Sequence, residues 1–178
     1  MCLLAVSFSS TEAQDADLEK AAKVKAAFLY NFIKFVEWPS DRSPALTNKA
    51  TICIAGNNPF GNALNTLKSQ LSGKLELTVI DKASQDNLPQ CHVLFVGNGA
   101  TDSIKELINE SQTNYVLSVS ESSDFADKGG VIEMKTVEKS IGLFSSNKIN
   151  LRINIRAAEH AGLKINPQLL EIAAEVLK

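Results

Sequence analysis

The stretch HVLFVG, residues 92–97, runs apolar without a break from Val93 to Val96 and stops at a glycine. A strand with one wet face alternates apolar with polar residues, whereas an unbroken apolar run fits a strand covered on both faces, as in a parallel sheet. Working outward, TICIAG (51–56), LELTVI (75–80) and YVLSVS (115–120) read as further strands interleaved with helical segments. Asp15 or Asp17 caps a first helix expected to run to about Trp38. Asn58 as N-cap, with Pro59 at the first helical position, opens another that ends near Gly73. Asp102–Asn109 makes the next. Alternation of this kind implies crossover units.

The last third breaks the rhythm. GVIEMKT (130–136), KSIGLFS (139–145) and KINLRINI (148–155) are three strand-like runs whose short spacings allow hairpins and forbid helical crossovers. Ala157–Ala161, stopped by Gly162, and LLEIAAEVLK, opened by Asn166-Pro167, are expected as terminal helices. The expected fold is α/β: one domain with a Rossmann-like, mostly parallel sheet, an antiparallel C-terminal extension, and helices on both faces.

A chain of 178 residues is most simply one domain. Eighteen basic against twenty acidic side chains give no electrostatic footprint for nucleic acid or an anionic membrane. Residues 1–14, MCLLAVSFSSTEAQ, read as the remnant of an export leader with cleavage near Ala13, which leaves 15–178 as the folded domain. No other stretch has the 18 or more apolar residues of a membrane span, so the mature chain is expected to be soluble, without direct membrane insertion. Removing the leader takes Cys2 and leaves Cys53 and Cys91 either as a pair or as two buried thiols. A bridge would close a loop of about 38 residues and contribute about 4 kcal/mol on the chain-entropy model.

KAAFLYNFIKFVEWP (25–39) carries more apolar surface than one helix face needs. Val24, Phe28, Leu29, Phe32, Ile33, Phe35 and Val36 spread over roughly 180°, whereas a sheet face covers about 100° of a helix. The surplus must meet a second helix or another molecule. Phe28, Phe32 and Trp38 are the candidate contacts to a partner or to a second copy in a homodimer.

In a doubly wound sheet the ligand crevice lies beyond the carboxyl ends of the strands. Asn57, Asn58, Asn98, Ser120 and Asp124 sit in those loops and are the candidate ligand-binding residues, although tight turns demand the same residue types. Gly56–Gly61 lacks the Lys-Ser/Thr of a P-loop and the second glycine of a dinucleotide fingerprint. His92 opens a buried-looking strand and His160 lies in a late helix, neither in a crevice loop. No nucleophile elbow or zinc spacing is present, so no catalytic residue, metal or cofactor is expected.

Taken together, KAAFLYNFIKFVEWP, ICIAGNNPFG, CHVLFVG, YVLSVSESSDFADKGGVIEM and INLRINIRAAEHAGLKINPQLLEIAAEVL resemble the YfiR-like family of periplasmic proteins, in order from about Ala21 to Leu177. The resemblance implies a periplasmic regulator that binds the sensor domain of an inner-membrane diguanylate cyclase and holds it inactive, lowering cyclic di-GMP and biofilm output. It also implies a redox-sensitive pair at Cys53 and Cys91, with no counterpart here of a second pair found in some relatives. Aligned on their terminal glycines, the two cysteines are offset by about 10 Å along neighbouring strands. A disulfide needs Cα atoms within about 7 Å. The register must slip, Cys91 must sit in the loop after Pro89, or the pair stays reduced. The alternative to the regulator is a periplasmic receptor whose crevice loops bind a small polar ligand and feed a kinase or transporter.

Overall fold

The computed structural model describes residues 9–141 and 144–178. Helix α1 (Ser9–Phe35) leads into a short strand β1 (Val36–Glu37) and a brief helix α2 (Pro44–Thr47). Then follow β2 (Lys49–Ala55), α3 (Ala63–Gln70), β3 (Glu76–Ile80), β4 (Val93–Val96), α4 (Ile104–Thr113) and β5 (Leu117–Ser120). The chain ends with β6 (Ile132–Ile141), β7 (Phe144–Asn154), α5 (Ile155–His160), β8 (Lys164–Ile165), α6 (Pro167–Glu171) and β9 (Glu175–Leu177). One seven-stranded sheet has the order β3-β2-β4-β5-β6-β7-β9, and β1 pairs antiparallel with β8 in a small second one.

From β3 to β6 every neighbouring pair is parallel, β6 and β7 form an antiparallel hairpin, and β9 returns parallel to β7. Alternate side chains of a strand face opposite sides of its sheet. Ile52, Ile54, Val93 and Phe95 accordingly join one buried cluster with residues of α1, α3, α5 and α6. Cys53, Ala55, Leu94 and Val96 join another with Leu107 and Ile108 of α4. The sheet is thus covered on both faces, as the run at 93–96 requires.

Residues 1–8 of the expected leader lie outside the described residues, and 9–14 belong to α1. Several local expectations need correction. Helix α1 stops at Phe35, because Asn166 N–H closes on Phe35 O and Val36-Glu37 then pair with β8. After β2, Asn58 Oδ1 accepts from Phe60 N–H at 2.9 Å in a turn, and α3 begins only at Ala63. α4 starts at a capping box, Ser103 with Glu106, and runs on to Thr113. The three strand-like runs of the last third are two long strands. Most of the expected C-terminal helix is absent: α6 ends at Glu171 and Glu175–Leu177 joins the sheet against Arg152–Asn154. A third strand there satisfies backbone groups that β7 would otherwise expose at its far edge.

Candidate functional site

Helix α1 uses its apolar surplus internally. Phe32 is wholly buried, Trp38 is 7% exposed, and both belong to the main core cluster. Phe28 is half-buried, packs against that cluster, and lies 6.0 Å from the Phe32 ring. α1 meets α3 and α6 as well as the sheet, so the arc wider than one sheet face is taken up by flanking helices. Phe32 and Trp38 are therefore corrected from partner contacts to core residues. Among the described residues, the large apolar side chains of α1 that are exposed rather than half-buried are Leu18 and Val24.

The crevice beyond the strand ends is largely closed. Gly56 takes φ 81°, and a Cβ there would lie 2.6 Å from Gly97 O. A Cβ on Gly97 would strike Asn57 O, while Asn57 N–H donates to Asn98 O at 2.7 Å. These loops touch backbone to backbone, which only glycine permits. The remaining space between Asn57, Pro59, Gly97, Asn98, Glu121 and Ser122 is about 110 Å³. Small-molecule pockets run from about 300 Å³ upward. Ser120 is buried and committed: its hydroxyl donates to Val96 O at 2.6 Å and accepts from Ser122 N–H at 3.1 Å. Asn57, Asn58, Asn98 and Asp124 are exposed, and Asp124 adopts a left-handed φ of 62° in the turn before Lys128. The side chains of Asn58 and Ser120 build turns, while Asn57, Asn98 and Asp124 contribute backbone contacts.

Cys53 and Cys91 are bridged, with Cα atoms 5.9 Å apart. The sequence offset is real: Cys53 sits opposite Leu94, three residues beyond Cys91. The chain resolves it before β4. A 3-10 turn over Gln85–Gln90 has Pro89 inside it, and Cys91 N–H closes on Leu88 O, curling Cys91 back toward β2. Both cysteines are fully buried in the cluster on the α4 face.

Next to the bridge stands a group of residues that sequence reading did not bring together. The Arg42 guanidinium donates to the carbonyls of Pro89 and Cys91, tying the loop after Trp38 to the bridge. His92 Nδ1 accepts from Thr51 N–H at 3.1 Å, and its ring meets Trp38 edge-on at 6.2 Å. Nothing in the spacing of Arg42 and Cys91 announces this contact; only the folded chain sets the Ser40–Arg42 turn against the loop before β4. Burial, and then the nearby Arg42 charge, hold the His92 imidazole below its ordinary titration range. The unfolded chain therefore binds the proton more readily. This contribution to stability is complete above about pH 6.5 and is lost as pH falls from there through the folded-state value. Urea midpoints between pH 7 and 5 should fall for the wild type and stay flatter for His92→Asn, whose amide oxygen can still accept from Thr51.

A second buried polar centre lies on the hairpin. Glu133 is fully buried, and its Oε2 accepts from Ala126 N–H at 3.2 Å and from Arg152 at 3.1 Å. Lys135 Nζ lies 2.8 Å from the other oxygen. Arg152 also grips Asp127 and Glu175, so one side chain joins β7 to β9 and to the loop before β6. Burial pushes the Glu133 carboxyl up, yet the hydrogen bonds from Lys135 and Ala126 and the two positive charges bring it below the usual range. The expected hairpin strands contained both residues, but not their opposition across the register Glu133↔Arg152.

Among the described residues no His, Cys, Asp or Glu group has the arrangement of a metal site, and no helix is long and apolar enough to cross a membrane. His160 is exposed on α5, far from the crevice loops in sequence and unlinked to them by any described hydrogen bond.

Against known proteins, no curated sequence matches significantly. A Vibrio cholerae O1 biovar El Tor N16961 crystal structure, described as a conserved domain protein, is similar in fold, with TM-score 0.56 and 12% identity. The likeness covers 87% of this chain and 60% of that one. A Streptococcus pneumoniae structure, described as an ABC domain in complex with L-Trp, is more distant, at TM-score 0.45 and 11% identity, over 72% of this chain and 55% of its own. This chain thus spans less than two thirds of the length of either solved relative. The model of the YfiR/HmsC-like family matches residues 22–174, from the middle of α1 to the residue before β9. With a match over that length, the chain belongs to the YfiR/HmsC-like family.

Proposed function

We propose that this protein is a periplasmic regulator that binds the sensor domain of an inner-membrane diguanylate cyclase and holds it inactive, lowering cyclic di-GMP signalling and biofilm formation. The family match over residues 22–174 carries this reading. The crevice of about 110 Å³ supports it over the small-ligand receptor, because the loops expected to hold a metabolite fill one another's space. Regulation by binding requires only that the protein prefer the inactive state of its partner.

In this reading the bridge tunes that preference. A dithiol reductant would give two electrons and two protons to Cys53–Cys91, leaving two thiols and becoming a disulfide itself. The Gln85–Gln90 turn would then be free to move from β2, and Arg42, which holds the Pro89 and Cys91 carbonyls, would transmit the movement to the segment after Trp38. The test is co-purification with a membrane diguanylate cyclase in oxidising and reducing buffer, with cyclase activity read alongside. Retention and inhibition in oxidising buffer, weakened on reduction, is the expected result. Equal retention in both removes the redox step, and no retention in either removes the regulator.

A further inference from the structure

The β6–β7 hairpin outgrows the sheet that carries it. β6 is ten residues long and β7 pairs with all of it, but β5 reaches only Ile132 and Glu133. From Met134 onward, no strand among the described residues occupies the other edge of β6. The direction of its backbone groups follows from the register. Asn154 N–H donates to Val131 O, and the pairing continues without a bulge to Ile141↔Phe144. Odd-numbered residues therefore face β7 and even ones turn the other way: Met134 N–H reaches the end of β5, which leaves the C=O of Met134 and both groups of Thr136 and the even positions beyond open.

This edge borders a real space. β5 ends at Ser120 and the chain turns away at Glu121, leaving a groove of about 460 Å³ lined by Lys25, Glu121, Ser123, Met134, Thr136 and Val137. The Lys25–Glu121 ion pair, at 2.7 Å, forms its inner end. The groove sits where β5 would continue if it were longer. An unpaired edge of this length is a template for another strand, and natural edges are commonly guarded by lysine. Here Val137 is 41% exposed and exposed Lys148 lies directly across from it on β7, while Lys135, two residues away on the same face, is held by Glu133 at 2.8 Å. A lysine beside an exposed apolar position repels basic strands and favours one whose apolar residue has acidic neighbours.

We infer that the open edge of β6 from Met134 to Ile141 receives an extended, acidic segment of a partner protein as an added β-strand in the place that β5 leaves vacant. Main-chain hydrogen bonds to the even positions supply the affinity, and Val137 with Lys148 beside it supplies the choice of sequence. The inference rests on the proposed regulatory reading only for the identity of the partner.

The probe is a fluorescein-labelled peptide of alternating valine and glutamate, beside a twin with lysine for glutamate, titrated with the full chain and read by anisotropy. The acidic peptide should bind about tenfold or more tighter than the twin. Thr136→Pro removes an outward N–H while leaving the β7 ladder intact, and should weaken the acidic peptide by about tenfold with little change in the thermal midpoint. Lys148→Glu alters charge without touching the backbone and should narrow or reverse the preference. Equal binding of the twins, no binding of either, or binding indifferent to both variants overturns the proposal. So does self-association of the chain that Thr136→Pro abolishes, since the edge then belongs to a second copy. The cyclase sensor domain makes a separate arm. Sensor binding unaffected by Thr136→Pro overturns the edge as its docking surface and leaves the regulator standing. An acidic peptide on the edge with no sensor binding upholds the edge and overturns the regulator.

Discussion

Cys91→Ala should lower the thermal midpoint by about 10 °C, and Cys53→Ala should do nearly the same. The bridge spans 38 residues of sequence, and on the chain-entropy model opening it returns about 4 kcal/mol of freedom to the unfolded chain. In a domain of this size 1 kcal/mol corresponds to roughly 2–4 °C, which sets the scale of the shift. Because either substitution breaks the same covalent closure, the double variant should be little worse than each single one. Calorimetry of the three variants decides it: additive losses, or a shift of only a degree or two, would show that the closure contributes little. Burial adds a kinetic expectation. Both sulfurs are shielded from solvent, so a reductant reaches them only after the Gln85–Gln90 turn opens. Thiol labelling after reductant treatment should therefore be slow in native buffer and fast in mild urea.

Arg152→Ala should cost about 3 kcal/mol, the second large effect. The substitution strands a carboxylate that is fully buried, and removing one partner of a buried ion pair typically costs about 3–5 kcal/mol. Lys135 still faces the other oxygen of Glu133, which places the expectation at the lower end. Loss of the contacts to Asp127 and Glu175 also loosens the loop before β6 and the strand β9. Adding Glu133→Gln to Arg152→Ala removes the unpaired charge and should restore part of the stability. A double-mutant cycle with no coupling would refute the account. Acid should reveal the same network. Hydrogen bonding to Arg152 holds the Asp127 carboxyl below its ordinary range, and Glu133 is lowered as described. Groups depressed in this way stabilise the fold fully above their unfolded-state values and lose that contribution as pH falls through the folded ones. Below about pH 4 the wild type should therefore lose stability more steeply than Arg152→Ala.

The parallel core was legible because its evidence is local. The unbroken run Val93–Val96 needs two covered faces, and Ile52, Cys53, Ile54 and Ala55 divide between them by simple alternation. Ser103 with Glu106 likewise carries its own cap, a start signal that lies in the sequence one residue after the expected Asp102. Two other segments depend on neighbours far along the chain. LLEIAAEVLK has helical spacing, yet Glu175–Leu177 lies extended because β7 offers it a backbone ladder and Arg152 offers Glu175 a charge. The wide arc of α1 left a second helix and another molecule both open, because periodicity counts apolar directions without knowing which elements will cover them. α3 and α6 cover them here. The crevice residues stayed ambiguous for a related reason: Asn and Gly mark a turn or a ligand site equally well, and the contact of Gly97 with Asn57 appears only when both loops are placed.

By itself, then, the sequence determined the class of fold, the parallel core, the hairpin-forming last third and the family, since periodicity, turn residues and motif order are properties of short stretches. Only the tertiary structure decided that Cys91 curls back to meet Cys53, that Arg42 and Arg152 become clasps, that Phe32 and Trp38 are core, and that one edge of β6 stays open. Each of these depends on strand register and on which surfaces are already occupied, quantities set jointly by residues up to a hundred and more positions apart.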